Sequence, residues 1–384
     1  MHKFHRHQAL LANLKATDSL RQLRLTPHKI LNLSSNDYLG VANDLDLKNQ
    51  FINTHQDHAD FVFGSSSSRL LTGNFTAHDE LEDTLSTAYG RPALTFNSGY
   101  HMNIGILPAI VDDKTLILAD KWVHASMIDG IRLAKQCGAK FYRFNHQNFH
   151  QLDELLTKHH AHYRHIIIMT ESVFSMDGDI TDLALLVAIK RRFDNVSLYV
   201  DEAHAVGVFG ERGLGVGEMM GVMNEIDFLV GTFGKAWASV GGFIICDGTI
   251  KDALINTARP LIFSTNIPPV NALWSNFIVR QSLLMTKKRQ TLLDNSQYFI
   301  HKICQLGLSC PSTSQIIPII IGNNQQAINL AQSLQTQGFY ALPIRPPTVP
   351  MNTARIRVCL TADITRMQID EFCHILEHTW QSVQ

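Results

Sequence analysis

The stretch Ile226-Asp-Phe-Leu-Val-Gly-Thr-Phe-Gly-Lys235 starts as an apolar run typical of a buried strand and ends in a glycine-containing turn that presents a single amine. Lysine is rarely buried without a reason. A lysine that is desolvated among apolar neighbours tends to lose its proton, and a neutral amine can attack a carbonyl carbon to form a Schiff base. A solvated loop lysine is the alternative interpretation of this stretch alone.

A second strand-like run, Ser197-Leu-Tyr-Val200, leads directly into Asp201-Glu-Ala-His204. An acid and a lysine therefore follow two successive predicted strands. This pair favours pyridoxal phosphate (PLP), because a lysine can bond the aldehyde of that cofactor while an aspartate keeps the pyridine nitrogen protonated.

Short apolar runs alternate with helical patterns such as His124–Cys137 and Leu183–Phe193. The alternation predicts an α/β fold with a mainly parallel sheet covered by helices on both faces. Ligands of such folds bind at the carboxyl ends of the strands, where Glu171 and Thr232 also lie. The predicted strands are Ala93–Phe96, Thr115–Leu118, Lys140–Phe144, Ile166–Thr170, Ser197–Val200, Phe228–Val230 and Phe243–Cys246.

The flanking sequence predicts two further parts. Residues 1–45 form a helical arm, with a helix over Gln8–Leu23, and an extended segment. A large domain covers 46–269 and ends near Pro268-Pro269. Residues 270–384 begin with one long helix over Val270–Leu306 and continue as a small α+β domain.

Composition excludes several classes of protein. Of the 384 residues, 45% are hydrophobic and 17% are charged, and the net charge of −1 gives no basic surplus for nucleic acid. The six cysteines are scattered, which favours free thiols over a disulfide frame or a zinc site. Because we find neither the apolar run of a signal peptide nor a run of membrane-spanning length, we expect a cytoplasmic protein.

Three patterns suggest other sites and are set aside. Histidines cluster at His2, His5 and His7 and at 159–165, but no helical His-Glu-x-x-His motif or cysteine pair accompanies them, so we expect no metal. The Asp-Glu-Ala-His box of one helicase class lacks a phosphate-binding loop here. The glycines of 210–217 do not spell a dinucleotide-binding motif.

Several residues could bind a cofactor or substrate. Phe96-Asn-Ser-Gly-Tyr100 passes from a strand into a helix, which suits either a phosphate at the helix N-terminus or an ordinary tight turn. His124 could stack on a flat ring or cap the helix that follows it. Arg345 and Arg357 offer planar forks for a carboxylate, although most arginines are solvated.

With these residues identified, the chain resembles the α-oxoamine synthases, a branch of the fold-type I PLP-dependent transferases. The resemblance extends over nearly the whole chain and follows the family's order of motifs. The matching motifs are Ser34-Ser-Asn-Asp-Tyr-Leu-Gly40, Phe174-Ser-Met-Asp-Gly-Asp179, Asp201-Glu-Ala-His204, Gly231-Thr-Phe-Gly-Lys235, Phe263-Ser-Thr265 with Pro268-Pro269, and Arg345-Pro-Pro-Thr-Val-Pro350.

The resemblance implies a role for each matching residue. The residues implied in catalysis are Lys235 as the Schiff-base lysine, Asp201 at the pyridine nitrogen and His124 on the ring. The other implied cofactor-binding residues are Gly99, Tyr100, Ser175, His204, Thr232 and Thr265. The implied substrate-binding residues are Arg21 (or its neighbour Arg24) for the far acyl carboxylate, Asn36, Thr348, and Arg357 for the amino-acid carboxylate.

The reaction implied by the resemblance is the decarboxylative condensation of L-alanine with a pimeloyl thioester, of coenzyme A or of a carrier protein, in biotin synthesis. The family also implies a homodimer whose active sites are shared, with Thr265 lent across the interface. Three segments depart from the family pattern and leave the acyl donor open: Gly64-Ser-Ser-Ser-Ser-Arg69, Glu202 and Ala236-Trp-Ala-Ser239. The alternatives are a sister synthase that uses glycine or serine with another acyl-CoA, and a cofactor-free binding protein of the same fold.

Overall fold

The computed structural model describes residues 3–27 and 30–383. Their contacts define two compact units. The central unit comprises Asp37–Ser175 and Ile180–Gln290, and the terminal unit comprises the described residues of 1–36, 176–179 and 291–384. The domain boundaries predicted between residues 45 and 46 and between residues 269 and 270 differ from these limits. They stay predictions of which parts of the chain fold independently.

The helices and strands alternate through the middle of the chain. In chain order the helices are α1 (His5–Ala16), α2 (Leu45–His55), α3 (Thr76–Tyr89), α4 (Gly99–Ile110), α5 (Ala125–Gln136), α6 (Phe149–His159), α7 (Leu183–Lys190), α8 (Val216–Met219), α9 (Gly248–Thr257), α10 (Arg259–Ile262), α11 (Pro269–Leu283), α12 (Thr286–Gln305), α13 (Asn324–Thr336) and α14 (Arg366–Val383). The strands are β1 (Leu31–Asn32), β2 (Ala93–Phe96), β3 (Thr115–Asp120), β4 (Lys140–Phe144), β5 (His165–Glu171), β6 (Val196–Asp201), β7 (Phe228–Thr232), β8 (Gly242–Ile245), β9 (Ile316–Gly322), β10 (Phe339–Tyr340), β11 (Leu342–Ile344) and β12 (Ala354–Cys359). None of the described helices combines the length and the apolar character needed to span a bilayer.

The central unit is built on a sheet with the strand order β2-β8-β7-β6-β5-β3-β4. The neighbours from β7 through β4 pair in parallel, and β8 pairs antiparallel with both β2 and β7. The predicted α/β fold and mainly parallel sheet are therefore confirmed. Because every strand except β8 runs in one direction, the carboxyl ends of β2, β3, β5, β6 and β7 meet at one edge.

The core of this unit explains why its strands could be recognised from sequence. All of β3 is buried, and Ile166, Ile167 and Ile168 in β5 are 0% exposed. The sequence of a strand that is covered on both faces is a continuous run of apolar residues, whereas apolar and polar residues alternate in a half-exposed strand. Each strand predicted between residues 93 and 246 is confirmed, with ends that differ by no more than two residues.

Helices α4 and α5 pack against each other at a glycine. A Cβ atom added at Gly130 in α5 would lie 2.5 Å from the backbone oxygen of Asn103 in α4. Only a residue without a side chain allows this close approach. The glycine thus lets α4 lie close against α5, whose N-terminus is capped by His124.

The N-terminal helix is shorter than predicted. It ends at Ala16 rather than Leu23, and Asp18 adopts a positive φ of 50°. The Thr17 hydroxyl donates to the Asn13 carbonyl oxygen, and the Ser19 hydroxyl donates to the Thr17 carbonyl oxygen. Side chains of this kind compete for backbone hydrogen bonds and end helices, which apolar periodicity alone does not reveal.

The single helix predicted over Val270–Leu306 is wrong, because the chain forms α11 and α12 with a break at Leu284 and Met285. The guanidinium of Arg289 donates to the carbonyl oxygen of Ser282 and to the Thr286 hydroxyl, the latter at 3.1 Å. The last carbonyls of a helix need such donors. Arg289 is 3% exposed, so this contact belongs to the packed interior of the central unit.

The terminal unit contains a three-stranded antiparallel sheet, β11-β12-β9, and a short parallel pair, β1-β10. Arg355 in β12 forms an ion pair with Asp177. Gly178 has a φ of +71°, and a Cβ there would lie 1.9 Å from the Ile316 carbonyl oxygen. The Met-Asp-Gly-Asp segment therefore packs directly on β9.

Candidate active site

A cavity of about 190 Å³ lies at the carboxyl edge of the central sheet. It brings together most of the residues that the sequence predicted to bind a cofactor. Its lining residues are Gly99, Tyr100, Met102, Asn103, His124, Ser126, Glu171, Asp201, Ala203, His204, Gly231, Thr232 and Lys235. Two predicted residues, Ser175 and Thr265, are not among them; Ser175 is half-buried and Thr265 is exposed.

The first turn of α4 forms one end of the cavity. The Ser98 side chain caps this helix by accepting from the His101 N–H at 3.1 Å. Within the described part of the chain, the N–H groups of Gly99 and Tyr100 have no hydrogen-bond partner. Unpaired N–H groups at a helix N-terminus favour an anion such as a phosphate.

Asp201 ends β6 and is 7% exposed. One carboxylate oxygen accepts from the Ala203 N–H at 2.9 Å, and the other accepts from the Asn103 side-chain amide at 3.1 Å. A carboxylate oxygen can accept more than one hydrogen bond, so Asp201 can also accept from a protonated pyridine nitrogen.

His124 fulfils the capping alternative and also lines the cavity. Its Nδ1 accepts from the Ser126 N–H at 3.2 Å and lies 2.7 Å from the Ser126 hydroxyl. Burial lowers the pKa of His124, Asp201 opposes that change, and Lys235 adds to it. The result is an uncharged, flat imidazole ring beside the acid.

Glu171 ends β5 and was not predicted as a site residue, although its position at a strand end was noted. It is 4% exposed, and its Oε1 has no hydrogen-bond partner among the described residues. Burial raises the pKa of this carboxyl well above its usual range, and the charge of Asp201 raises the pKa further. Both effects favour the protonated form of Glu171.

Lys235 is half-buried and lines the cavity, which argues against a fully solvated loop lysine. The turn before it is held by Thr232, whose hydroxyl donates to the Gly241 carbonyl oxygen at 2.8 Å and accepts from the Gly234 N–H at 3.2 Å. On another wall, His204 Nδ1 lies 2.6 Å from the Tyr38 hydroxyl, and both side chains are buried.

These groups fit PLP. Unpaired N–H groups for the phosphate, a carboxylate for the pyridine nitrogen, a flat imidazole and an amine all line one small cavity. No cluster of His, Cys, Asp or Glu that could hold a metal ion occurs within residues 3–27 and 30–383. His2 of the N-terminal histidine cluster lies outside the described residues.

A larger cavity of about 600 Å³ lies within the terminal unit and is lined by Arg21, Arg24, Arg345 and Thr348, among others. Arg21 donates to the Thr348 hydroxyl at 2.6 Å, so two predicted substrate-binding residues touch. None of the three arginines forms an ion pair with a carboxylate in the described part of the chain. Burial lowers the pKa of Arg345, and the charges of Arg24 and Arg21 lower it further against the opposing effect of Asp18.

The other two predicted substrate-binding residues also meet within the terminal unit. Arg357 in β12 is 8% exposed, and both of its terminal nitrogens donate to the side-chain oxygen of Asn36 at 3.2 Å. The amide thus fixes the plane of the guanidinium fork.

Comparison with known proteins gives consistent results. The model of the family described as aminotransferase class I and II matches residues 28–376. An 8-amino-7-oxononanoate synthase of Haemophilus ducreyi is 52% identical over 349 residues, which cover 89% of each chain. Among solved structures, a serine palmitoyltransferase of Sphingomonas wittichii has a TM-score of 0.89 with 29% identity, covering 100% of this chain and 98% of its own. An 8-amino-7-oxononanoate synthase of Francisella tularensis has a TM-score of 0.78 with 27% identity, covering 93% and 99%.

We predict that Gly242→Ala weakens PLP binding. A Cβ at Gly242 would lie 2.8 Å from the backbone nitrogen of Gly99, so the substitution would push on the N–H groups at the start of α4. Overpacking of this kind should raise the dissociation constant for PLP about tenfold or more. Fluorescence titration of the PLP-free protein measures it. Gly248→Ala is the control, because a Cβ there would lie 4.0 Å from its nearest neighbour, the Pro92 side chain. Equal PLP affinities for the two variants would contradict the assignment.

Proposed function

Because the chain belongs to the class I and II aminotransferase family and, within it, to the 8-amino-7-oxononanoate synthases, we propose that it condenses L-alanine with a pimeloyl thioester. The products are 8-amino-7-oxononanoate, carbon dioxide and the free thiol. PLP is the cofactor of this transferase, and the relatives' name implies biotin biosynthesis. A cofactor-free binding protein is therefore excluded as an alternative, whereas a cytoplasmic location stays part of the proposal.

In this proposal Lys235 has two roles, covalent binding of PLP and proton transfer. Its Nζ would hold PLP through the aldehyde carbon, and once free of PLP it would be the base that accepts the proton from the alanine α-carbon. When bound, PLP supplies a conjugated ring that accepts the charge left at that carbon. The Asp201 carboxylate would hold the proton on the pyridine nitrogen, and His124 would lie against the ring.

The proposed contact for the alanine carboxylate is Arg357. A guanidinium binds a carboxylate through two parallel N–H donors, and the plane of the fork decides how the carboxylate is oriented. Both terminal nitrogens of Arg357 are anchored on Asn36 at 3.2 Å. Asn36 thus limits rotation of the guanidinium, and the carboxylate would accept from the N–H groups of Arg357 that do not face Asn36. This is a positioning role for Asn36, and its direct contact with the substrate stays a prediction.

The proposal of a pimeloyl thioester as acyl donor rests on the arginine-lined cavity of the terminal unit. A pimeloyl chain ends in a carboxylate, which would offset the charges of Arg21, Arg24 and Arg345. A long aliphatic acyl chain would leave these guanidinium groups facing hydrocarbon, which is unfavourable. Arg21 is the favoured partner because Thr348 already fixes its end at 2.6 Å, and Arg24 is the alternative.

A second candidate function is a sister synthase that joins serine or glycine to another acyl-CoA. The high TM-score of the serine palmitoyltransferase structure, 0.89, favours it. Assays of alanine, glycine and serine against pimeloyl-CoA, acetyl-CoA and palmitoyl-CoA distinguish the candidates. Highest kcat/KM for alanine with pimeloyl-CoA supports the first proposal, and highest kcat/KM for serine with palmitoyl-CoA would replace it.

We predict that Lys235→Ala abolishes turnover and covalent retention of PLP, because the variant has no amine at the turn after β7. Borohydride reduction followed by peptide mass analysis measures retention. The control is Lys48→Ala on the exposed surface of α2, which should be labelled normally at the peptide that contains Lys235. A normally labelled peptide from the Lys235→Ala protein would identify another lysine as the anchor.

We predict that Arg21→Gln lowers kcat/KM for pimeloyl-CoA about 10- to 100-fold, the usual effect of losing a hydrogen bond to a charged group. The same variant should use heptanoyl-CoA, which has the same chain length without the carboxylate, as well as the parent protein does. Arg24→Gln is the matched variant. A selective loss in Arg24→Gln instead would assign the contact to Arg24, and no selective loss in either would contradict the carboxylate assignment.

The proposal includes a two-fold symmetric homodimer with shared active sites, in which Thr265 serves Lys235 of the partner subunit. Large apolar side chains on the surface of the central unit support it: Phe63, Leu71 and Phe263 are 78%, 79% and 69% exposed. Exposed apolar surface of this kind marks interaction sites. Thr265 is itself exposed and follows Phe263 closely.

We predict that two inactive variants, Lys235→Ala and Thr265→Trp, regain activity when mixed. A mixed dimer would contain one doubly damaged site and one intact site, so activity should approach about one quarter of the parent value after random exchange. Tagged subunits verify the exchange. If exchange is complete and no activity returns, Thr265 acts within its own subunit.

A further inference from the structure

Asn103 lies on α4, is 2% exposed and lines the PLP cavity, although nothing in the sequence singles it out. Its side-chain amide is fully occupied. Its Oδ1 accepts from the Tyr199 hydroxyl at 2.6 Å, and its Nδ2 donates to the Ser126 hydroxyl oxygen at 2.9 Å and to Asp201 Oδ2 at 3.1 Å. Three elements, β6, α4 and α5, thus meet on one amide.

The chemistry of the partners fixes the orientation of this amide. An ionised carboxylate can only accept, so the nitrogen of Asn103 must face Asp201. Burial raises the pKa of Tyr199 well above its usual range, with a further rise from Asp201, so the phenol keeps its hydrogen and donates to Asn103 Oδ1. A flipped amide would lose both hydrogen bonds.

The hydrogen bond from Asn103 to Ser126 connects the amide to His124. Because the Ser126 oxygen accepts from Asn103, the hydroxyl hydrogen can point to His124 Nδ1, 2.7 Å away. The Ser126 N–H donates to the same nitrogen at 3.2 Å. A nitrogen that accepts in this way carries no hydrogen, so the neutral ring carries its hydrogen on Nε2.

We propose that Asn103 is a positioning residue whose single amide orients the Asp201 carboxylate and, through the Ser126 hydroxyl, fixes which nitrogen of His124 carries hydrogen. The inference rests on the proposed PLP-dependent function but not on the identity of the acyl donor. It assigns one side chain to both PLP-facing groups, the acid at the pyridine nitrogen and the imidazole on the ring.

The charged and titratable groups around this network define what its loss would change. Glu171 from β5 and Lys235 after β7 both act electrostatically on the network, Glu171 on Asp201 and Lys235 on His124. Burial and the charge of Asp201 both favour the protonated form of Glu171. Without the Asn103 amide, Asp201 would keep the Ala203 N–H but lose its side-chain donor, and its hold on a pyridine proton would change.

The test compares Asn103→Leu, which has nearly the same shape without polar atoms, with Ser126→Ala, which removes only the branch to His124. The readouts are the dissociation constant for PLP and the pH dependence of the visible absorbance of PLP-loaded protein, measured without any substrate. We expect Asn103→Leu to raise the dissociation constant for PLP about 10- to 100-fold. We also expect it to shift the pH at the midpoint of the absorbance change. Ser126→Ala should raise the constant about 2- to 10-fold with a smaller shift.

The matched control is Asn276→Leu, another buried asparagine of the central unit, on α11 and away from the cavity. It should lower the melting temperature but leave both PLP readouts unchanged. If Asn103→Leu does not fold, Tyr199→Phe keeps the test decisive, because it frees the amide without altering Asn103 and should shift the absorbance midpoint.

Unchanged PLP affinity and absorbance titration in folded Asn103→Leu, or in Tyr199→Phe when the leucine variant does not fold, would overturn the positioning role. A failure of the acyl-donor proposal would look different. In that case the PLP readouts would respond as expected, while pimeloyl-CoA would be a poor substrate for the parent protein itself.

Discussion

Burial of one carboxylate, that of Asp201, is the constraint on which the cavity of the central unit depends. A buried charge is costly unless donors and neighbouring charges compensate for it. The Ala203 N–H and the Asn103 amide supply the donors. Burial, and after it the charge of Asp201, raises the pKa of the neighbouring Glu171 well above its usual range. Asp201 thus acts on the pKa of both Glu171 and His124, although burial has the larger effect on each of them.

Sequence predicted what depends on local pattern and missed what depends on long-range packing. The buried strands were recognisable as apolar runs, and Asp201, His124 and Lys235 were recognisable because each follows a strand. Their convergence in one cavity needed only the rule that parallel strands end at a common edge. The sequence did not identify Asn103 as a site residue, because an asparagine inside a helix is not unusual and its hydrogen-bond partners lie on other elements. The break between α11 and α12 was missed for the same reason, because the guanidinium that caps it folds back from the next helix.

The predicted substrate-binding arginines fall into two physical kinds. Arg357 is 8% exposed and anchored on Asn36, so little conformational entropy is left for it to lose when it binds a carboxylate. Arg21 and Arg24 are exposed and belong to a roomy cavity. An anchored fork suits a ligand group of fixed geometry, such as the carboxylate of an α-amino acid. Exposed guanidinium groups in a cavity of this size suit the end of a flexible chain, whose position varies with its conformation.

The glycine at position 130 has a consequence for engineering this protein. Replacing a helical glycine with alanine is a standard way to raise thermal stability, because alanine loses less backbone entropy on folding. At Gly130 the new methyl group would lie 2.5 Å from the backbone oxygen of Asn103 and would force α4 away from α5. A mutation made for heat resistance at this position, which touches no ligand, would therefore disturb the acid and the imidazole together. Stability screens based on helix propensity alone would select against function here.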